Sequence, residues 1–167
     1  MTLKIKAARD LPLYVGNELA VSEWVTIDQE QVCAFANATR DQDWMHVDPD
    51  RARKGPIGQP IVQGFLTLSM LIYFSHQTNN LPDCEYAFNY GLDRVRWPGV
   101  VKVGARIRNR STLLEAREKG EMRWLLKTSN IVEIEGEKVP AMTAEWLTLL
   151  HEQRGGPDDS PLEGRQG

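Results

Sequence analysis

The sequence predicts an α+β fold in which an antiparallel sheet curls around one apolar helix. Three observations predict it. Residues 29–38 show helical periodicity, residues 86–151 show long alternating stretches, and residues 61–80 between them are apolar on nearly every side. A helix that is apolar all round is buried. Helices followed by a meander of strands are typical of the α+β class.

The chain length predicts a single domain. With 167 residues, 41% of them hydrophobic and 26% charged, the chain can build one substantial core but not two. We place this domain at residues 1–151. Residues 152–167 are rich in Gly and Pro and hold one aliphatic side chain, so we expect a disordered C-terminal tail.

Composition excludes several classes of partner. The net charge is −3, which indicates neither nucleic-acid nor membrane-surface binding. The N-terminus lacks a secretory signal, and the apolar stretch is too short to cross a bilayer, so we expect a cytoplasmic protein. The two cysteines, Cys33 and Cys84, form no metal-binding or disulfide pattern. We therefore predict no metal and no cofactor.

The helices of the first half have recognisable starts. Residues 22–27 alternate as a short strand does. Asp28 then offers an N-cap with Gln31 as its capping-box partner, which predicts a helix over 29–38. Asp48 followed by Pro49 predicts a further helical turn. The turn-forming sequence GPIGQP precedes the apolar helix.

Four long strands are predicted in the second half. They cover residues 86–97, 105–118, 122–135 and 138–151, which are rich in Val, Ile, Leu, Trp and Thr with alternating Arg. The intervening sequences WPGVVKVG, EKGE and EGEK are plausible turns between antiparallel strands.

Asp41 and His46 lie five positions apart on one short connection between helices. A carboxylate and an imidazole held by neighbouring backbone can bind one water between them. Such a pair provides the acid and the base for adding water to an activated carbon-carbon double bond. A structural role, in a turn or a helix cap, is the alternative for an isolated pair of this kind.

Gly64 needs a reason, because glycine inside a helix costs about 1 kcal/mol relative to alanine. One reason is close approach of a ligand to the backbone, and another is close packing of a strand across the helix. A free N–H in the first turn is a suitable donor to an oxygen atom of a ligand. This requires the helix to begin near Gln63, whereas Pro60 could equally mark its first turn.

The order of these features resembles the MaoC-like dehydratases, a hotdog-fold family that includes (R)-specific enoyl-CoA hydratases. The likeness covers roughly residues 16–150 and is greatest to the nodulation-protein-N-like branch, on residues 41–64 and the stretch FNYGLDRVRWP. The resemblance implies a hotdog fold, a homodimer and an acyl-CoA substrate. It also implies that Asp41 and His46 are the hydratase pair and that the Gly64 N–H binds the thioester oxygen.

Two departures from the family pattern lie beside these residues. The family's Gly-Asp-x-Asn-Pro-x-His is here Arg-Asp-Gln-Asp-Trp-Met-His, and its His-Gly is Gln63-Gly64. Gln63 keeps hydrogen-bonding capacity but does not titrate. Trp44 and Gln63 are therefore candidate substrate-binding residues. We expect the departures at these positions to give this protein a substrate of different shape from those of its relatives.

Arg94 and Arg96 are further candidates for substrate binding. With Arg106, Arg108 and Arg110 they alternate along two strands, and guanidinium groups suit the phosphates of coenzyme A. A solvated strand face is the commoner meaning of such a pattern. The tryptophans, Trp97 among them, are expected in the core or on the dimer surface.

The sequence leaves three candidate functions. The first is a hydro-lyase that adds water syn across the double bond of a 2-enoyl thioester. The second is a hotdog thioesterase, because a shared fold does not fix function. Residues 61–80 contain no Asp or Glu, which counts against hydrolysis. The third is a non-catalytic acyl-CoA-binding protein.

Overall fold

The computed structural model describes residues 2–79 and 81–152, and the predicted tail lies outside these residues except for Glu152. The α-helices in these ranges are α1 (Gln29–Thr39), α2 (Trp44–Val47), α3 (Pro49–Lys54) and α4 (Gly64–Thr78). The six strands are β1 (Glu18–Val21), β2 (Val25–Thr26), β3 (Tyr86–Arg96), β4 (Arg106–Glu118), β5 (Arg123–Ile134) and β6 (Met142–His151). The predicted α+β class is confirmed.

All six strands form one antiparallel sheet in the order β1-β4-β5-β6-β3, with β2 pairing beside β1 on β4. Helix α4 packs on this sheet through Leu66, Met70 and Phe74. These side chains recur every four residues, so they lie on one helix face. The sheet side of this core includes Ile107 and Val132.

A second apolar cluster lies beside the first. A 3-10 helix, Ala8–Tyr14, places Ala8 and Leu11 against Leu19, Leu113 and Leu150 of the sheet. Neither this helix nor β1 was predicted. The proline inside the helix and its seven-residue length hide any helical periodicity.

The short strand predicted over residues 22–27 is confirmed only at Val25 and Thr26. The ladder to β4 breaks because the Ser22 hydroxyl accepts the Asn109 N–H at 2.9 Å. Trp24 lies 4.4 Å beneath the guanidinium of Arg108.

The predicted helix starts are confirmed. Asp28 and Gln31 form the reciprocal capping box of α1, and the Asp48 side chain accepts from Arg51 N at 3.0 Å at the start of α3. The one-turn helix α2 was not predicted. None of the helices in the described parts of the chain is long and apolar enough to cross a membrane.

Candidate functional site

Asp41 and His46 face each other between α1 and α2. The distance from His46 Nε2 to Asp41 Oδ2 is 3.9 Å, which is too long for a direct hydrogen bond. A single water oxygen can lie within hydrogen-bonding reach of both atoms. The His46 side chain is 11% exposed and that of Asp41 is 45% exposed, so the imidazole is enclosed while the carboxylate faces an open side.

The tautomer of His46 follows from its second ring nitrogen. Nδ1 lies 2.8 Å from the carbonyl oxygen of Ile61. A carbonyl only accepts, so Nδ1 carries the proton and donates it. In the neutral ring, Nε2 therefore presents a lone pair toward Asp41 and is ready to accept a proton from water.

Helix α2 is held in place by bonds to both of its neighbours. The Gln29 side chain on α1 donates to the His46 carbonyl at 2.7 Å, and the Ile61 N–H donates to the Met45 carbonyl at 3.0 Å. The Asp43 side chain accepts from Met45 N at 3.2 Å and caps the helix. His46 is thus fixed by backbone, which suits a group that must meet a reacting atom precisely.

The end of α1 sets the position of Asp41. Arg40 closes the helix in the left-handed region, at φ 62°, so the chain turns sharply before Asp41. Gln42 then donates back to the Asn37 side chain at 3.0 Å, which fixes the connection.

Gly64 is the first residue of α4, and Gln63 is its N-cap. The alternative start at Pro60 is therefore excluded. The first N–H groups of a helix have no partner within it, so the Gly64 N–H is available at the positive end of the helix dipole. The segment that orients His46 through Ile61 leads directly into Gly64, so both groups lie at the same end of α4.

Trp97 explains part of the need for glycine. A Cβ added at Gly64 would lie 3.2 Å from two atoms of the Trp97 indole and 3.3 Å from a third, which is tighter than ordinary van der Waals contact. Trp97 also contacts Phe65, with ring centroids 5.5 Å apart. Close packing against the start of the helix is therefore one reason for glycine at this position.

Gln63 links α4 to α1. Its side chain is buried, and Nε2 donates to the Val32 carbonyl at 3.2 Å. Its Oε1 is also enclosed and has no hydrogen-bond partner among the described residues. Part of its hydrogen-bonding capacity is therefore structural, and one acceptor is left over.

Trp44 contacts α3 and the loop that follows it. Its ring lies 4.7 Å from the Arg51 guanidinium carbon and so close to Gly55 that an added Cβ there would be 3.1 Å from it. With Ile57 and Gln59 it lines a cavity of about 90 Å³. The structure does not bring this ring together with Asp41.

Most of the predicted basic residues are paired with carboxylates. Arg94 pairs with Glu145 at 3.1 Å, while the Arg96 guanidinium donates to the Val95 carbonyl at 2.7 Å. The other three form a ladder on the outer sheet face: Arg106 with Glu135, Arg108 with Glu133, and Arg110 with Glu18 and Glu133.

This ladder has an electrostatic signature at Glu133. Burial alone would raise the pKa of the Glu133 carboxyl, but the hydrogen bond and charge of Arg108, with Arg110 beside it, bring that pKa below its ordinary value. Arg106, Arg108 and Arg110 therefore lie on a strand face where they are paired with carboxylates. This fits the solvated strand face that the sequence also allowed, rather than binding of phosphates.

Sequence reasoning missed two parts of the site. The Ile61 carbonyl orients His46, and Gln29 supports its backbone. A backbone carbonyl leaves no sequence signal. Gln29 sits in the first turn of a capped helix, where a solvated role is the ordinary expectation.

Comparison with known proteins identifies the family. The model of the MaoC like domain matches residues 12–134. The chain belongs to the MaoC-like domain family. The resemblance expected from the sequence is thereby confirmed.

Two curated relatives cover most of the chain. One is "3-hydroxyacyl-thioester dehydratase Z" of Mycobacterium tuberculosis, 42% identical over 140 residues, 84% of this chain and 93% of that protein. The other is "Nodulation protein N" of Rhizobium leguminosarum bv. viciae, 41% identical over 155 residues, 91% of this chain and 94% of that protein. The predicted nodulation-protein-N-like branch is thus confirmed.

A solved structure supports the fold. The (R)-hydratase from A. caviae involved in PHA biosynthesis superposes with a TM-score of 0.66 at 21% identity, over 80% of this chain and 94% of that one. The MaoC-like domain therefore has the hotdog fold, with α4 as the central helix.

Proposed function

We propose that this protein is a hydro-lyase that interconverts 2-enoyl-CoA and (R)-3-hydroxyacyl-CoA. The observation that carries the proposal is the pair of His46 Nε2 and Asp41 Oδ2, 3.9 Å apart, at the N-terminal end of α4. The name of the relative from Mycobacterium tuberculosis, a 3-hydroxyacyl-thioester dehydratase, supports the same reaction. The proposed reaction assigns both proton transfers to side chains of this chain, so the proposal includes no metal and no cofactor.

The pair provides both proton-transfer steps of this reaction. Neutral His46 presents the lone pair of Nε2, and the Asp41 carboxylate presents its oxygens, so both accept hydrogen bonds from one water. The water oxygen attacks the β-carbon while one of the two groups takes the proton. That proton is then delivered to the α-carbon from the same side, which gives syn addition.

The Gly64 N–H provides the third part of the proposed site, the hydrogen-bond donor to the thioester oxygen. Negative charge collects on the thioester oxygen as water adds to the β-carbon. An N–H at the start of α4, supported by the helix dipole, stabilises this charge. Of the alternatives, the thioesterase needs a carboxylate that activates water against the carbonyl carbon. No Asp or Glu lies on α4.

A direct assay separates the three functions. A short 2-enoyl-CoA is mixed with the purified protein while loss of the conjugated double bond and release of free thiol are followed in parallel. Loss of the double bond without thiol supports the hydro-lyase. Thiol release without hydration would establish the thioesterase instead, and tight binding without either reaction would establish an acyl-CoA-binding protein.

We also propose that the protein is a homodimer joined along β3. This strand lies at the end of the sheet, so its outer edge has unpaired N–H and C=O groups. Four large apolar side chains of the strand are 43–56% exposed: Tyr86, Phe88, Tyr90 and Leu92. Pairing with a second copy would cover both the edge and these side chains.

Phe88→Asp is expected to shift the protein from dimer to monomer, because it places a charge in the proposed interface. Sedimentation velocity at several protein concentrations measures the change. Leu13→Asp is the matched control, since Leu13 is 79% exposed on the 3-10 helix. A Phe88→Asp protein that remains a dimer would contradict the β3 interface.

We further propose that Arg96 binds a phosphate of coenzyme A. Its guanidinium has no carboxylate partner recorded among the described residues, whereas Arg94 is already paired with Glu145. Arg96→Glu is expected to weaken acyl-CoA binding by about 10-fold and to reduce its salt dependence. Arg94→Glu is expected to have the smaller effect. Unchanged affinity and salt dependence in Arg96→Glu would exclude the contact.

A further inference from the structure

Two aromatic side chains lie at the start of α4 with much of their surface exposed. Phe65, the second residue of the helix, is 67% exposed, and Trp97, which follows β3, is 40% exposed. Their rings tilt against each other with centroids 5.5 Å apart. Large apolar side chains that are exposed side by side are typical of a surface that a ligand or another protein covers.

The indole of Trp97 presents its face to Gly64. A Cβ built on Gly64 would lie 3.2 Å from Cε2 and Nε1 of the indole and 3.3 Å from Cδ2. These three atoms adjoin one another in the five-membered ring, and a point almost equally far from all of them lies above the ring face. The indole N–H has no acceptor among the described residues.

The same indole bounds the space in which an oxygen bonded to the Gly64 N–H must lie. At helical φ, the N–H and the Cβ position are on the same side of the N–Cα bond. An acceptor about 2.9 Å from the nitrogen therefore lies about 3.5 Å from the Cβ position. Because Trp97 lies 3.2 Å from that position, the acceptor and the ring are at most about 7 Å apart.

A thioester carbonyl bound at Gly64 brings its neighbouring atoms toward this ring. The carbonyl carbon, the α-carbon and the sulfur surround the bound oxygen and fill the space between it and the indole. Sulfur is polarizable and packs favourably against aromatic rings. The indole is thus suited to the group that the Gly64 N–H is proposed to bind.

We propose that Trp97 is a substrate-binding residue whose indole contacts the thioester group and holds its carbonyl at the Gly64 N–H. The inference rests on the proposed function, in which Gly64 binds the thioester oxygen. Phe65 supports the indole from the side through their tilted ring contact. The exposed surface of the two rings is covered when the substrate is bound.

Trp97→Leu is expected to weaken substrate binding more than it slows the reaction. A contact made equally in the bound substrate and in the transition state changes KM and leaves kcat almost unchanged. We expect KM for a 2-enoyl-CoA to rise by about 10-fold in this variant. Trp97→Phe keeps an aromatic ring and is expected to restore most of the affinity, which loss of packing alone would not explain.

Tyr73→Leu is the matched control for removal of an aromatic side chain. Tyr73 lies on α4 and is 45% exposed, but it is about 13 Å along the helix from Gly64. Its replacement is expected to leave KM unchanged. Equal KM values for the wild type and Trp97→Leu would overturn the inference.

A truncated substrate separates the thioester from the remainder of coenzyme A. The 2-enoyl thioester of N-acetylcysteamine lacks the nucleotide and most of the pantetheine arm. If the indole contacts the thioester group, the effect of Trp97→Leu on KM is expected to remain with this substrate. An effect that is present with the CoA substrate and absent with the truncated one would place the indole against the nucleotide end and overturn the inference.

The indole N–H resonance of Trp97 tests the contact without catalysis. In the 15N-labelled full chain this resonance is identified by its absence from Trp97→Phe. A saturated acyl-CoA is expected to shift it, whereas the resonance of Trp24, which lies beneath Arg108 on the outer sheet face, is expected to stay in place. An unshifted Trp97 resonance at saturating ligand would overturn the inference. A shift in a protein that hydrates no substrate would uphold the contact and reject the proposed function.

Discussion

Replacing Asp41 with Asn, or His46 with Gln, is expected to lower kcat/KM for hydration by about 10²-fold or more. Each change keeps the approximate side-chain shape and removes the group that takes or gives a proton. His46→Gln also removes the Nδ1–H that is anchored on the Ile61 carbonyl. Loss of the conjugated double bond of a short 2-enoyl-CoA measures the rate.

A matched carboxylate controls for charge. Asp50 lies on α3, and its side chain is 86% exposed, so Asp50→Asn is expected to leave the rate unchanged. Thermal unfolding of each variant shows whether the site variants retain the fold. If folded Asp41→Asn and His46→Gln proteins hydrated the substrate at the wild-type rate, the pair would not be the catalytic one.

Gly64→Pro is expected to lower kcat by about 10²-fold to 10³-fold, because it deletes the N–H that the thioester oxygen needs. The position tolerates proline unusually well. Gly64 is the first residue of α4, where proline is favoured, and Gln63 has the extended conformation, φ −60° and ψ 138°, that a following proline requires. The helix should therefore persist without this one donor.

Gly64→Ala is the matched control. It adds a Cβ 3.2 Å from the Trp97 indole but keeps the N–H. Both variants add the Cβ, so the difference in kcat between them measures the loss of the N–H together with the addition of the proline ring atoms Cγ and Cδ. Equal activity of Gly64→Pro and Gly64→Ala would show that the Gly64 N–H does not stabilise the transition state.

The elements that the sequence predicted are those in which a local signal agrees with the tertiary structure. Helix α1 carries its own capping box, and the long strands β3 to β6 alternate clearly. The segment around Ser22 was misjudged because its break depends on a hydrogen bond to Asn109, a residue 87 positions away. Non-local contacts of this kind have no local pattern.

The residue types of the candidate site could be predicted from the sequence, but the groups that hold these residues in position could not. The spacing of Asp41 and His46, together with the family resemblance, identified the pair. The Ile61 carbonyl that fixes the tautomer is invisible in sequence, because any residue would supply it. The buried position of Asn109 was not predicted either. It lies on the inner face of β4, between arginines that lie on the outer face.

The stereochemistry of hydration in D₂O tests the central claim most directly. One water bound between Asp41 and His46 must deliver its oxygen and a deuteron to the same face of the double bond. We therefore predict a (R)-3-hydroxyacyl-CoA with deuterium added syn at the α-carbon, determined by NMR after chiral derivatisation. Anti addition, or loss of stereochemical control at the α-carbon, would contradict a single acid-base pair that acts through one water.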